Sequence, residues 1–247
     1  MNMLSMPDEI MCYPRPSEEQ RQKRLRELEA IGIKKILLKG EKKVNGYPII
    51  NKGCVSVVVL VETDSGLAVL KIRRTDANRT DMFHEAEMLR IANSLGIGPK
   101  LRAYSENLMV MEYADGPLLV DWLGRVRTGE VKSAKAIVRS LLAQCHLMDK
   151  ISLDHGELHN ASEHVIFRGA DRSPTIVDFE SASTARRARN LTSICQFLLK
   201  RREIPRNSRP IIEPLSLECL NNELREYKKD PSEERFQEVM ATLGLGE

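Results

Sequence analysis

At 247 residues, 42% hydrophobic and 30% charged, the chain is long enough to bury a sizeable core as one large domain or two small lobes, and too long for a peptide-like module. A formal net charge of +3 is too small to imply a polyanionic partner by itself. Five scattered cysteines without a C-x-x-C pair suggest neither a disulfide framework nor a thiolate zinc site, and no apolar run approaches the roughly 20 residues that span a bilayer, so a cytoplasmic protein with no membrane contact is expected.

Residues 1–31 read as an N-terminal extension carrying one charged surface helix over 17–31. Its start signal is Pro16-Ser17-Glu18-Glu19-Gln20, where Ser17 caps and Gln20 answers from three residues on. Over 34–73 the pattern turns to β: Ile36-Leu37-Leu38, then 55–62, a turn at Asp64-Ser65-Gly66, and 67–72. Residues 81–93 read as a helix stopped by Gly96-Ile97-Gly98-Pro99, and 108–113 as a buried strand. Beyond Asp115-Gly116-Pro117 the chain turns helical. The clearest case is 131–148, where Ala134, Ile137, Val138, Leu141, Leu142, Cys145 and Met148 form an apolar stripe. A short hairpin follows, 164–167 to 175–177 with 168–174 as its connection, and from Asn190 the pattern is helical again.

The residues with chemical potential fall at the ends of these elements. Lys71 closes the run Leu67-Ala68-Val69-Leu70-Lys71, so its charge is anchored on a rigid, partly apolar strand. Glu85 shares a helix face with Met82, Ala86 and Leu89, and a carboxylate in an apolar stripe needs a partner such as Lys71. Asn51, Gly53 and Ser56 stand at the first, third and sixth positions of a G-x-G-x-x-G loop, where small residues let backbone N–H groups approach phosphate oxygens. Two segments flank the hairpin: Asp154-His155-Gly156-Glu157-Leu158-His159 and Thr175-Ile176-Val177-Asp178-Phe179-Glu180. They put Glu157 and Asp178 on loops at either side of it, and paired acids so placed are what a metal and phosphoryl-transfer site needs. A metal-dependent hydrolase is a competing expectation, with His155, His159, His164 and Glu157 around zinc or manganese, although the spacing is not H-E-x-x-H.

The order of parts is glycine-bearing loop, strand lysine, helix glutamate, Met111-Glu112-Tyr113-Ala114 link, long helix, H-G-E-L-H loop, hairpin and D-F-E. In that order the chain resembles the protein-kinase-like superfamily. The short Asp178-Phe179-Glu180-Ser181-Ala182-Ser183 segment and the lack of an A-P-E sequence are similar to the small atypical kinases of the RIO type, and among them to a group of predicted archaeal serine/threonine kinases. The resemblance covers about 36–199. It implies a two-lobed α+β protein-kinase-like fold, with a β-rich lobe over 32–112 and a reduced helical lobe over 113–247. It implies ATP with Mg²⁺ or Mn²⁺ as cofactors and transfer of the γ-phosphoryl group to a serine or threonine hydroxyl of a protein substrate. The chain's own Ser181, Ser183 and Thr184 are candidate acceptors.

By the same resemblance Lys71 would hold the α and β phosphates, Glu85 would fix Lys71, and backbone groups from Met111 through Glu112 and Tyr113 to Ala114 would receive the adenine. Asn51, Gly53 and Ser56 would cover the phosphates. Asp178 would ligate the metal, Glu157 takes the place of the family's catalytic aspartate, and His159 would meet the transferred phosphate. The family's asparagine ligand, five residues past the catalytic acid, lands on Ser162 here, so His164 or Asn160 takes the second metal position. H-G-E-L-H followed by D-F-E is also similar to aminoglycoside and choline kinases, which makes a small-molecule kinase the alternative within the class. An interaction protein that keeps the fold without turnover is another. The basic segment Arg186, Arg187, Arg189, Lys200, Arg201, Arg202, Arg206 and Arg209 suggests RNA or ribonucleoprotein proximity over 186–209.

Overall fold

The structure, a computed structural model, describes residues 6–169, 171–199 and 204–246, with positions 207 and 209 described by backbone alone. The chain divides into two compact units. The first runs to Arg90 and resumes over Pro99–Tyr113; the second takes Ile91–Gly98 and the chain from Ala114 onward. The architecture is mixed α and β, sheet-rich in the N-terminal region and helix-rich in the C-terminal region. Among the described residues no helix is long and apolar enough to cross a membrane.

The first unit opens with α1 (Asp8–Met11), which the sequence reading passed over, and α2 (Glu18–Ala30). The Ser17 hydroxyl caps α2 by accepting the Gln20 N–H at 3.3 Å. The charge pattern of α2 suggests a surface helix, yet Arg24 and Leu28 are fully buried. The Arg24 guanidinium donates to the Met11 carbonyl and, at 3.3 Å, to Asn107 Oδ1, while Glu27 accepts from Asn107 N and Nδ2 at 2.9 and 2.6 Å. An arginine whose donors meet fixed oxygens can bury its stem like an apolar side chain, which hydrophobic periodicity does not register.

The strands of this unit are β1 (Ile33–Leu37), β2 (Lys42–Val44), β3 (Tyr47–Ile49), β4 (Asn51–Lys52), β5 (Ser56–Thr63) and β6 (Gly66–Arg73). Then come α3 (Phe83–Ser94), β7 (Leu101–Tyr104) and β8 (Leu108–Glu112). β2 and β3 form a separate hairpin closed by Asn45-Gly46 at φ 47° and 88°, the pair of left-handed residues a type I′ turn requires. The main sheet is antiparallel in the order β1-β5-β6-β8-β7, with β4 also on β5. β5 and β6 pair from Ser56↔Arg73 to Thr63↔Gly66, leaving Asp64-Ser65 as a two-residue turn. Val57, Val59, Val61, Leu70 and Ile72 share a core with Ile10, Met11 and Leu28. The twofold alternation therefore turns Lys71, which sits between Val58 and Met109, to the other face.

The second unit carries α4 (Leu119–Arg125), α5 (Val131–Lys150), the hairpin β9 (Val165–Arg168) and β10 (Ser173–Ile176), then α6 (Asn190–Leu199), α7 (Leu217–Lys229) and α8 (Glu233–Thr242). The apolar stripe of α5 is buried except for half-buried Ile137, and the buried face also takes in His146 and Asp149. Trp122 of α4 stacks on Phe167 of β9 with ring centroids 4.1 Å apart. Beside them the backbone passes so close that a Cβ on Gly116 would lie 2.0 Å from the Phe167 carbonyl oxygen. The hairpin register runs Arg168↔Ser173 to Val165↔Ile176, and Val177 N–H donates to the His164 carbonyl at 3.0 Å. His164 and Asp178 thus stand at the open end of one ladder.

Candidate functional site

In the first unit Lys71 Nζ lies 2.5 Å from Glu85 Oε1, and both side chains are buried. Asp81 Oδ1 accepts the Phe83 N–H at 3.0 Å, which starts α3 two residues later than its sequence suggests and turns Glu85 inward with Met82, Ala86 and Leu89. Burying an ion pair is expensive unless each charge answers the other, so this geometry is held only while both partners are present. Asn51 lies on β4 and Ser56 begins β5. Gly53 between them has ordinary backbone geometry, with its N–H donated to the Ser56 carbonyl at 2.9 Å. Met111 and Glu112 end β8, and the Glu112 N–H is taken by the Lys100 carbonyl at 2.9 Å. That backbone donor is committed to the fold; Tyr113 and Ala114 carry the chain from one unit into the next.

The remaining site residues belong to the second unit. The 154–160 loop is tied at its start. Asp154 and Ser183 exchange backbone hydrogen bonds at 2.9 and 2.8 Å. The buried Asp154 carboxylate accepts from the Arg186 Nε and, at 3.2 Å, from the Arg189 N–H. Gly156 follows at φ +90°, where a Cβ would lie 2.8 Å from the Ser181 carbonyl and closer still to the Arg186 guanidinium. His155 is fully buried. Its Nε2–H donates to the Val177 carbonyl at 3.0 Å, and its Nδ1 accepts the Glu157 N–H at 3.4 Å. Burial, and next the neighbouring His164 ring, lower its pKa to about 4, so it is a neutral pin between the loop and the strand that leads to Asp178.

Around this pin the chain gathers Glu157, His164 and Asp178, each offering one ligand atom within 4.8 Å of the others. The Glu157 carboxylate is engaged on two sides: Oε1 accepts from the Ser181 hydroxyl, and Oε2 lies 3.0 Å from His164 Nε2. His164 is buried; its Nδ1 has no hydrogen-bond partner and faces Asp178 Oδ2 across 3.9 Å. Asp178 itself sits at φ +72°, left-handed backbone that an aspartate adopts at some cost and that aims the chain into the one-turn 3₁₀ helix Phe179–Ser181.

Other expected residues lie elsewhere. Asn160 Oδ1 accepts from the Ser162 hydroxyl at 2.9 Å, closing its own loop, and His159 is exposed on the 3₁₀ turn Leu158–Asn160. The three-histidine cluster of the hydrolase expectation is not assembled, because both ring nitrogens of His155 are used and His159 faces outward.

The sequence reading gave no role to the layer that holds the loop. Asn190, first residue of α6, accepts the His155 N–H on Oδ1 at 2.8 Å and donates its amide to Asp149 Oδ1 and to the Leu153 carbonyl. Asp149 also accepts from Asn190 N, Leu191 N and the Tyr227 hydroxyl, whose oxygen lies 2.9 Å from His146 Nδ1. Burial outweighs those donors and raises the Asp149 carboxyl to about 6. The signal was present in α5, where an acid falls four residues after Cys145 on the apolar stripe.

Within the basic segment the guanidinium of Arg186 is spent on Asp154 and the Ser181 carbonyl, and that of Arg187 on the Lys228 carbonyl. Arg189 and Arg206 are exposed. Lys200, Arg201 and Arg202 and the side chain of Arg209 lie outside the described residues. Compared with protein-family models and with curated proteins, the chain matched none.

Proposed function

We propose that the chain is an ATP-dependent phosphotransferase with a two-lobed protein-kinase-like fold, of the small atypical RIO-like kind, acting on serine or threonine hydroxyls. The observation that supports it best is the Glu157 carboxylate, which takes the hydrogen bond of a serine hydroxyl on one oxygen and has His164 Nε2 3.0 Å from the other, with Asp178 in ligand range. A hydroxyl donating to a carboxylate is the starting point of base-assisted attack, and a second acid on a divalent cation supplies the other half of phosphoryl transfer.

The donor set fits such a cation: a buried imidazole nitrogen with no hydrogen-bond partner faces a carboxylate oxygen at 3.9 Å. When bound there, a divalent cation would neutralise charge on the phosphoryl oxygens. In this reading Asp178 and His164 hold the ion, and Lys71, kept in place by Glu85, holds the α and β phosphates. Glu157 accepts the proton of the acceptor hydroxyl as the new oxygen–phosphorus bond forms and the bond from the γ-phosphorus to the bridging oxygen breaks, releasing ADP. His155 keeps Glu157 in position and stays neutral.

Transfer of labelled γ-phosphate from ATP, to the chain itself and to a general protein acceptor, tests the proposal when wild type is compared with Asp178→Ala. Transfer by wild type alone is the expected result. Nucleotide binding by both proteins with transfer by neither overturns it and leaves a binding protein.

A further inference from the structure

Magnesium is a hard ion that keeps its waters and prefers oxygen ligands, whereas an imidazole nitrogen favours first-row transition metals. The ligand atoms in the second unit are not those of an all-oxygen site. His164 contributes a ring nitrogen from a buried position, and its environment is arranged the way metal-bound histidines are. A ligating histidine almost always donates its other ring N–H to a carboxylate, which fixes its tautomer and makes the ligating nitrogen a better donor. His164 Nε2 lies 3.0 Å from Glu157 Oε2, and its Nδ1, buried and without a hydrogen-bond partner, faces Asp178 Oδ2 on the other side of the ring.

At 3.9 Å His164 Nδ1 and Asp178 Oδ2 are too far apart for a hydrogen bond and close enough to share one ion. An ion about 2.0–2.2 Å from each atom spans the gap with a bent N–metal–O angle. The backbone brings the two residues together, since the Val177 N–H to His164 carbonyl bond sets Asp178 beside His164 at the end of the hairpin.

We propose that His164 Nδ1 and Asp178 select a transition-metal ion of the Mn²⁺ or Co²⁺ kind over Mg²⁺, with His164 the specificity-determining ligand and Glu157 its orienting partner. The site stands on its own geometry; only the reaction it would serve rests on the phosphotransferase reading.

The test uses the full-length protein without nucleotide, with Mn²⁺, Co²⁺ and Mg²⁺ as probes. Mn²⁺ bound to the wild type is expected to show ¹⁴N coupling from one imidazole by pulsed electron paramagnetic resonance, and Co²⁺ a visible absorption band. Both ions are expected to bind at least about tenfold more tightly than Mg²⁺, and His164→Asp to remove the ¹⁴N coupling and reduce that preference roughly tenfold or more. Bound Mn²⁺ without ¹⁴N coupling in the wild type overturns the proposal, as does equal affinity for the three ions; the spectroscopic arm needs no variant. Imidazole-coupled Mn²⁺ with no phosphate transfer from ATP would sink the phosphotransferase reading and leave the site. Transfer supported equally by Mg²⁺ and Mn²⁺, with no ¹⁴N coupling, would do the reverse.

Discussion

Asn190 hangs the loop that carries Glu157 from Asp149: its amide donates to Asp149 Oδ1 at 2.8 Å while its carbonyl oxygen takes the His155 N–H at 2.8 Å. The catalytic candidate is therefore positioned from α5 through α6, by polar groups that are themselves buried. Replacing Asn190 with alanine strands the His155 N–H and removes one donor from a buried carboxylate. A loss of about 2–4 kcal/mol in unfolding free energy is expected, read from a urea or guanidinium transition with unchanged slope.

The raised carboxyl of Asp149 sets a pH dependence. Its folded pKa, about 6, lies above the 3.8 expected of the unfolded chain. The folded state therefore binds the proton more tightly, and this group's contribution falls as pH rises from about 4 to 6 and is flat above. The decline amounts to about 3 kcal/mol. Asp149→Asn is expected to flatten the stability profile in that window relative to wild type, and a profile that coincides with wild type would refute the assignment.

Breaking the Lys71–Glu85 pair from one side leaves a buried charge without its answer. Lys71→Met is expected to destabilise the chain by roughly 3–5 kcal/mol, and Lys71→Met with Glu85→Leu to recover most of it, because two apolar residues need no partner. A double-mutant cycle on thermal or denaturant stability measures the recovery. Under the phosphotransferase reading the double variant stays folded and loses transfer.

Glu157→Gln keeps the side chain's size but turns an amide N–H toward Ser181 or His164, so a stability loss of about 1–2 kcal/mol is expected, small beside the effect on turnover. A general base removed from phosphoryl transfer lowers turnover by about 10²–10⁴-fold. Single-turnover transfer at saturating ATP separates this from a binding effect.

Two glycines give opposite outcomes. Gly53→Ala has open space and ordinary backbone geometry, so stability is expected to stay within about 0.5 kcal/mol of wild type. Gly116→Ala drives a methyl into the Phe167 carbonyl and is expected to cost about 1–3 kcal/mol or more, visible as a lower melting temperature.

The long, strongly patterned elements were legible: β5 and β6 from their β-branched runs, α5 from its stripe, and the 165–176 hairpin to within a residue at its outer ends, its second strand beginning two residues earlier than expected. The Lys71–Glu85 contact was legible because a charge on an apolar face has few ways to be satisfied. The Asn45-Gly46 hairpin carried a clear turn signal that the surrounding short, lysine-rich strands obscured. What stayed hidden was polar and long-range. Arg24 and Glu27 meet Asn107 some 80 positions on, and Asp149 meets Asn190 some 40 on. Hydrogen bonds between distant side chains leave no period in a sequence. The roles of His155 and His164 diverged for the same reason: one imidazole is closed by a carbonyl and an N–H, and the other keeps a nitrogen open.

The hairpin that ends at His164 and Asp178 works as a ruler. The rung joining Val177 to His164 holds the two residues side by side at the end of the ladder, a main-chain contact that side-chain replacement leaves in place. Under the metal-site proposal, exchanging the residue at position 164 changes which ion is preferred and leaves that frame in place. On that proposal the choice of ion and the frame that presents the ligands belong to separate layers of the chain, so the first can be redesigned without refolding the second.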